Sequence, residues 1–319
     1  MDLSRGGADD PDVSVRRARA DDEERVVAFT RDTWDERSGG DYLPDVFADW
    51  VATDGDDQRT LVADLDGDPV GVIQGRLLTD REAWAQGMRV DPAHRGRGVA
   101  AELTRAVLSW ARERGASTCR NMVFAWNVAG LGLSRAAGFD PCAEFRWVQP
   151  DPDPTADPAL DVTADADARD AADAWSFWAG SDARTHLRGL AMDAEESWAV
   201  SALRREQLRA AADDGRLFVA RDGGTRGFTY RAYDYDRGTE DGGTETWGIY
   251  GVAAWDDPAA ARALFRAVAR DAAEAGVDRT RVLIPERVRW VSDAAAARTP
   301  VSEEPDFVLA ADLSDPDVA

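Results

Sequence analysis

The stretch Met88-Arg-Val-Asp-Pro-Ala-His-Arg-Gly-Arg-Gly-Val-Ala-Ala101 constrains the fold of this chain more than any other. It reads as a strand, a tight glycine loop and the first turn of a helix. Backbone N–H groups at such a loop converge on one point, where the helix dipole adds partial positive charge, so the loop suits a pyrophosphate. Gly96 and Gly98 let the backbone approach a ligand that a Cβ would obstruct. Arg95 and Arg97 bracket the loop with permanent positive charge. The bare Arg-x-x-Gly-x-Ala hexapeptide also fits an ordinary strand-to-helix turn, and the context separates the two. Upstream, Glu82–Val90 carries Trp84, Met88 and Val90 at even spacing, which predicts a strand with one buried face. Downstream, Val99, Leu103, Ala106, Val107 and Trp110 fall on one face of a helix that Gly115 stops. Ser117 to Ala125 reads as a second strand, followed by Asn127 and a short helix ending at Gly138-Phe139.

Ahead of the loop, Val13–Arg17 suits a strand, and Ala20–Trp34 and Tyr42–Val51 read as amphipathic helices. Thr60–Asp64 and Val70–Leu78 form a hairpin across Asp66-Gly67-Asp68. Four prolines in Gln149-Pro-Asp-Pro-Asp-Pro-Thr-Ala-Asp-Pro158 exclude a helix or central strand there. The expected division is a disordered tail over 1–12, a first domain over 13–149, a linker over 150–160 and a second domain over 161–319. The second half repeats the grammar of the first. Arg216-Leu-Phe-Val-Ala-Arg221 echoes Arg59-Thr-Leu-Val-Ala-Asp64, and Glu245-Thr-Trp247 echoes Glu82-Ala-Trp84. A helix over Ala259–Ala275 and a strand over Arg281–Ile284 follow. The glycine loop is missing from this copy. Asp256-Asp257-Pro258 stands in its place, and acids that stabilise a helix start would repel a pyrophosphate.

Composition narrows the function classes. The net charge is −23, and all 38 cations are arginine, with no lysine. Acid in such excess self-repels at ordinary ionic strength, a cost that fades when molar salt shrinks the screening length to ~3 Å. The make-up therefore reads as halophilic, an adaptation to a salt-filled cytoplasm; an acidic surface that attracts basic substrates is the competing reading. No basic stripe exists to meet nucleic-acid phosphates. Cys119 and Cys142 lack the spacing of a metal site or a disulfide framework and are expected to be buried small hydrophobes. No segment approaches the ~20 apolar residues of a membrane span, and the N-terminus lacks an apolar signal region. A cytoplasmic protein is expected.

Val90-Asp-Pro92, the Arg95–Ala100 loop, Asn127 and Leu133-Ser-Arg-Ala-Ala-Gly-Phe139, taken in order and spacing over roughly residues 13–150, resemble the GNAT-family N-acetyltransferases. The resemblance implies an α/β (α+β) GNAT fold, a mixed central sheet with flanking helices, here followed by a second, degenerate GNAT-like domain. It implies acetyl-CoA as cosubstrate and no metal. The pantetheine arm would pair with backbone groups of Met88, Arg89 and Val90. The pyrophosphate would sit on Arg95, Gly96, Arg97, Gly98, Val99, Ala100 and Ala101. Asn127 would contact the cosubstrate further along. Tyr42, Trp50 and Trp84 become candidate acceptor contacts. The second half is expected to pack, complete the acceptor pocket or form a homodimer.

Acyl transfer to an amine needs a proton removed from the amine and a proton or donor for the thiolate, with a donor for the oxyanion. By position Val90 N–H would serve the oxyanion. Where the family often carries a carboxylate base, this chain has Gln86, which cannot take a proton. Glu82 lies four residues back, roughly 13 Å along a strand, and could act only through water. The family's thiolate-side tyrosine corresponds to Ser134, which would also lie against the cosubstrate. An α-amine, with a pKa of ~8, is partly free base at neutral pH and would react by positioning alone. Asp41-Tyr-Leu-Pro44, Phe47-x-x-Trp50 and Glu82–Pro92 also resemble the histidine N-acetyltransferase branch, which points to a free amino acid or small α-amine. Three readings stay open: a small-molecule N-acetyltransferase, an enzyme acting on protein N-termini or lysines, and a non-catalytic acetyl-CoA-binding regulator.

Overall fold

The computed structural model describes residues 13–31, 33, 40–163, 165–239, 242–316 and 318. In chain order the first elements are β1 (Ser14–Arg17), α1 (Glu23–Thr30), α2 (Leu43–Thr53), β2 (Gln58–Leu65), β3 (Asp68–Leu77), β4 (Glu82–Val90), α3 (Val99–Glu113), β5 (Thr118–Phe124) and α4 (Val128–Ala136). There follow β6 (Asp140–Val148), β7 (Asp161–Val162), α5 (Ala168–Gly180), α6 (Asp182–His186), β8 (Leu190–Met192), β9 (Val200–Ala202) and α7 (Arg205–Asp213). The last are β10 (Leu217–Arg221), β11 (Thr225–Gly238), β12 (Thr244–Trp255), α8 (Pro258–Ala275), β13 (Arg279–Pro285), α9 (Val288–Ala296) and β14 (Asp306–Asp312). The chain forms two compact units. One takes in residues 1–121, 129–140 and 310–319, the other 122–128 and 141–309. Residues 141–149 thus group with the second unit and the last ten with the first.

In the first unit β1, β2, β3 and β4 pair antiparallel in that order, and β5 pairs parallel with β4. The β2–β3 hairpin turns through Asp66 (φ 55°) and Gly67 (φ 97°), the two positive-φ positions that an Asp-Gly turn supplies. Helix α3 buries Val99, Leu103, Val107, Leu108 and Trp110, the stripe read from the sequence with Leu108 added and Ala106 only half-buried. On the other side α1 and α2 bury Val26, Phe29, Leu43 and Phe47 against Val62 and Val72. The expected helix over Ala20–Trp34 is a 3-10 turn at Ala20–Asp22 followed by α1; Trp34 lies outside the described residues, as does the 1–12 tail. The C-terminal segment is tied to this unit by main-chain acceptors. Arg112 Nε donates to Leu313 O (2.9 Å), and Leu313 N donates to Ser117 O (3.0 Å).

Strand β4 departs from the even spacing expected of it. Its register runs Trp84↔Arg76, Gln86↔Gln74, then Arg89↔Val72 and Val90↔Gly71. Gly87 and Met88 together oppose Ile73, which is a β-bulge. The extra residue inverts the parity beyond it, so Trp84, Gln86 and Arg89 share a face and Val90 does not. Met88 and Val90 therefore do not continue the Trp84 face. The bulge rests on Gly87, at φ +66°, where a Cβ would lie 2.6 Å from Trp50 Cη2. The parallel register with β5 covers Glu82–Trp84 against Thr118–Arg120, and the bulged end of β4 extends beyond it.

The second unit pairs β6, β13, β12, β11, β10 and β7 in that order, with β12 and β13 parallel and the other pairs antiparallel. Helix α8 spans Pro258–Ala275 and buries Leu264, Phe265, Val268 and Ala272, as its spacing predicted. Cys119 is buried, and burial pushes its thiol up to about 12. Cys142 is only half-buried, because β6 begins with exposed positions. His186 accepts a hydrogen bond from Arg287 Nε (3.0 Å) and packs edge-on against Trp290. Burial, reinforced by Arg287, holds its pKa below the ordinary imidazole value.

Candidate functional site

Helix α3 begins at Gly98, whose φ of 81° is left-handed, with no side-chain cap. Gly96 precedes it at φ 77°. A Cβ at either glycine would meet nothing within 4 Å. Among the described residues no acceptor is found for the N–H groups of Gly96, Arg97, Gly98, Val99 and Ala100. The Ala101 amide differs from expectation: it donates to Gly98 O (2.9 Å) in the first helical turn. A run of unsatisfied amides at a helix start is an anion cradle, and the residues present fit a diphosphate. Arg97 is exposed. Arg95, also exposed, reaches back to donate from Nε to Val90 O (3.3 Å). The strand-to-loop corner is pinned by Asp91, which accepts from the Ala93 amide and pairs with Arg25. Burial works against the Asp91 carboxylate, but the Ala93 amide and Arg25 outweigh it and hold its pKa below the usual range. His94 Nδ1 stands 3.5 Å from Asp91.

Val90 N–H is the expected oxyanion donor. Asp91 N donates to Val70 O (2.9 Å), so strand alternation turns the Val90 N–H away from β3. Met88 O already accepts from Arg89 Nη1 (2.9 Å). The Arg89 side chain is buried in a two-point ion pair with Asp41, at 2.6 and 3.0 Å, and its guanidinium lies 5.7 Å from the Tyr42 ring centroid. Nothing in local spacing links Asp41 to Arg89; the bulge is what places Arg89 on the α2 side.

The same side carries the candidate acceptor wall. Tyr42 is 42% exposed and meets Trp50 edge-on at 6.1 Å, with Trp50 lying over the Gly87 bulge. Trp84, at 2% exposed, is core; it faces the helices from the paired end of β4 and offers no surface to an acceptor. Gln86 is half-buried, and its Nε2 donates to Gln74 Oε1 (2.7 Å). Glu82 is buried at the closed end of β4, opposite Thr118, and pairs with Arg120. That pairing and the four-residue separation keep its carboxylate away from the bulged end.

Ser134 is buried on α4, and its Oγ accepts from Asn121 Nδ2 (2.9 Å). With that lone pair taken, the hydroxyl proton is left to be donated elsewhere. Asn121 was missed by the sequence reading and carries no motif signal. Asn127 follows β5 in a turn in which its N–H donates to Phe124 O (2.9 Å), within the segment 122–128. Among the described residues no group of three or more His, Cys, Asp and Glu could hold a metal.

The corresponding helix start in the second unit is built differently. Asp257 caps α8 and accepts from the Ala259 and Ala260 amides, both at 2.8 Å. Arg226 pairs with both Asp256 and Asp257. The amides that would hold an anion are occupied by a carboxylate of the chain itself.

Residues 23–139 match the Acetyltransferase (GNAT) family. Among solved structures, a GCN5-related N-acetyltransferase from Sphaerobacter thermophilus aligns with a TM-score of 0.61 at 15% identity, over 94% of this chain and 96% of that one. A protein assigned as an acetyltransferase from Thermoplasma acidophilum aligns with a TM-score of 0.53 at 18% identity, over 93% and 98% of the two chains. The PaiA N-acetyltransferase of that organism, solved in complex with coenzyme A, covers 41% of this chain and 91% of its own, with a TM-score of 0.36 and 15% identity. No curated protein matches the chain. The family match covers residues 23–139, and the likeness to the solved structures shows the fold.

Proposed function

We propose that the first unit moves an acetyl group from acetyl-CoA to the primary amine of a small molecule, an α-amine such as that of a free amino acid, by direct transfer. The observation that carries this reading is the start of α3, where among the described residues no acceptor is found for the amides from Gly96 to Ala100. Bound there, acetyl-CoA supplies the activated acetyl group. The amine nitrogen forms a bond to the acetyl carbon as the carbon–sulfur bond breaks; the amine's proton passes to water and the thiolate takes one up. Val90 N–H serves as oxyanion donor, and Ser134, with a proton to donate, lies against the cosubstrate.

Tyr42 and Trp50 form an aromatic wall beside Gln86 that suits a compact acceptor. With a carboxamide at position 86 and Glu82 held by Arg120, no base is required of the protein if the acceptor is an amine of low pKa. The second unit does not take coenzyme A, because Asp257 fills its helix start; its role is packing or self-association as a homodimer. We infer also that the protein is halophilic and works in a salt-rich cytoplasm, from its charge of −23 and its lysine-free composition. Among the described residues no helix is long and apolar enough to cross a membrane.

The test is thiol release from acetyl-CoA by the full chain in molar KCl, with free amino acids, simple alkylamines and N-terminal peptides as acceptors. Turnover with small α-amines is expected. Turnover with peptides alone would shift the acceptor to proteins, and binding without turnover would leave a regulator.

A further inference from the structure

Gln74 is wholly buried on β3 (0% exposed), and it belongs to a chain of polar groups that leads from α2 to the acceptor wall. The Asp54 carboxylate, buried at the end of α2, accepts from Thr60 N (2.9 Å) and Thr60 Oγ1 (2.9 Å). Gln74 Nε2 donates to Thr60 Oγ1 (3.2 Å), and Gln86 Nε2 donates to Gln74 Oε1 (2.7 Å). Arg17 Nε holds Asp54 from outside at 3.1 Å.

Carboxamide oxygen and nitrogen are alike in shape, so their assignment has to come from the network. Here the network has one solution. An ionised carboxylate only accepts. The single Thr60 hydroxyl hydrogen therefore goes to Asp54, and Thr60 Oγ1 must accept from Gln74. Gln74 then shows its NH2 to Thr60 and its oxygen to Gln86. Gln86 must show its NH2 to Gln74, which turns its own oxygen to the opposite side. Every dipole runs in the same sense, and aligned hydrogen bonds strengthen one another.

We propose that Gln86 is a positioning residue whose carboxamide oxygen accepts an N–H of the acceptor amine, with its orientation set from Asp54 through Thr60 and Gln74. This rests on the acetyl-transfer reading above. The relay also accounts for glutamine at a position where the family often has a carboxylate. Glutamate at 86 would set two acceptors face to face across the 2.7 Å contact with Gln74 Oε1. The amine's lone pair is then aimed by a neutral acceptor, and turnover draws on the fraction of amine that is already deprotonated.

The experiment is steady-state kinetics on the full chain with the panel amine of highest kcat/KM, in the wild type, Thr60→Val, Thr60→Ser and Gln86→Glu. Thr60→Val keeps the shape of the side chain and removes the hydroxyl, so Gln74 loses its directing partner. The amine KM is expected to rise about five- to tenfold, with the acetyl-CoA KM unchanged. Thr60→Ser restores it, which a loss of packing would not do. Gln86→Glu raises the amine KM despite supplying a base. An unchanged amine KM in Thr60→Val, or a faster Gln86→Glu enzyme with normal amine KM, overturns the relay while leaving acetyl transfer intact. A wild type that turns over no amine in the panel overturns both.

Discussion

Gly98 and Asp257 stand at equivalent starts of two helices and do opposite things with the same backbone groups. Gly98 gives the amides of its helix no side-chain cap; at Asp257 a side chain takes them. A second residue-scale effect lies in the other unit. Trp147 Nε1 donates to Asp306 Oδ2 (2.8 Å), and Arg281, stacked between Trp198 and Trp247 at 4.5 and 4.2 Å, lies near enough to favour the carboxylate. Burial nevertheless outweighs both and pushes Asp306 from 3.8 up to about 6. A carboxyl raised in the fold stabilises it below the unfolded pKa, and that contribution is lost as pH rises through the folded pKa. Between about pH 3.5 and 7 the wild type should lose about 3 kcal/mol relative to Asp306→Asn. Urea midpoints of the two proteins across that range check this; parallel pH curves would contradict it.

Among the elements, β4 matters most, because its bulge sets which side chains share a face with Trp84 and Gln86. Replacing Gly87 with alanine forces a Cβ to 2.6 Å from Trp50 at a φ of +66°. The expected loss is about 2 kcal/mol or more in stability and a fall in amine turnover, with acetyl-CoA affinity retained. Denaturant unfolding and calorimetry separate the two effects; a fully active, fully stable variant would mean that the bulge positions nothing. The bulge also marks what a linear reading could and could not see. Helix α3, the β2–β3 hairpin, the glycine loop and α8 were legible because each is specified by local period and turn chemistry. The parity of β4 beyond Gln86 was not, since one extra residue opposite Ile73 leaves no trace in an even-spaced pattern. Asp41, Asp54, Thr60, Gln74 and Asn121 were equally invisible, because each acts on a partner brought close only by strand pairing or helix packing. The glycine loop could be read directly; the side chains that β4 brings beside Tyr42 and Trp50 could not.

For the molecule as a whole, a net charge of −23 on 319 residues makes its folding sensitive to salt. Screening shortens from ~10 Å at 0.1 M salt to ~3 Å at 1 M. The thermal midpoint should therefore climb steeply with KCl and collapse when salt is removed. Equal midpoints at low and molar KCl would contradict the salt-adapted reading. The Sphaerobacter structure spans 94% of the chain, so the second unit belongs to the same overall fold, although the family match stops at residue 139. Diphosphate binding by the amides at the start of α3 is the step on which the proposed activity depends. Its most direct test is calorimetry of acetyl-CoA in molar KCl with the wild type and Gly98→Asp, which gives α3 the carboxylate cap that Asp257 gives α8. The wild type should bind and Gly98→Asp should not, while remaining folded by circular dichroism. Equal binding by both proteins, or none by the wild type, would contradict the claim.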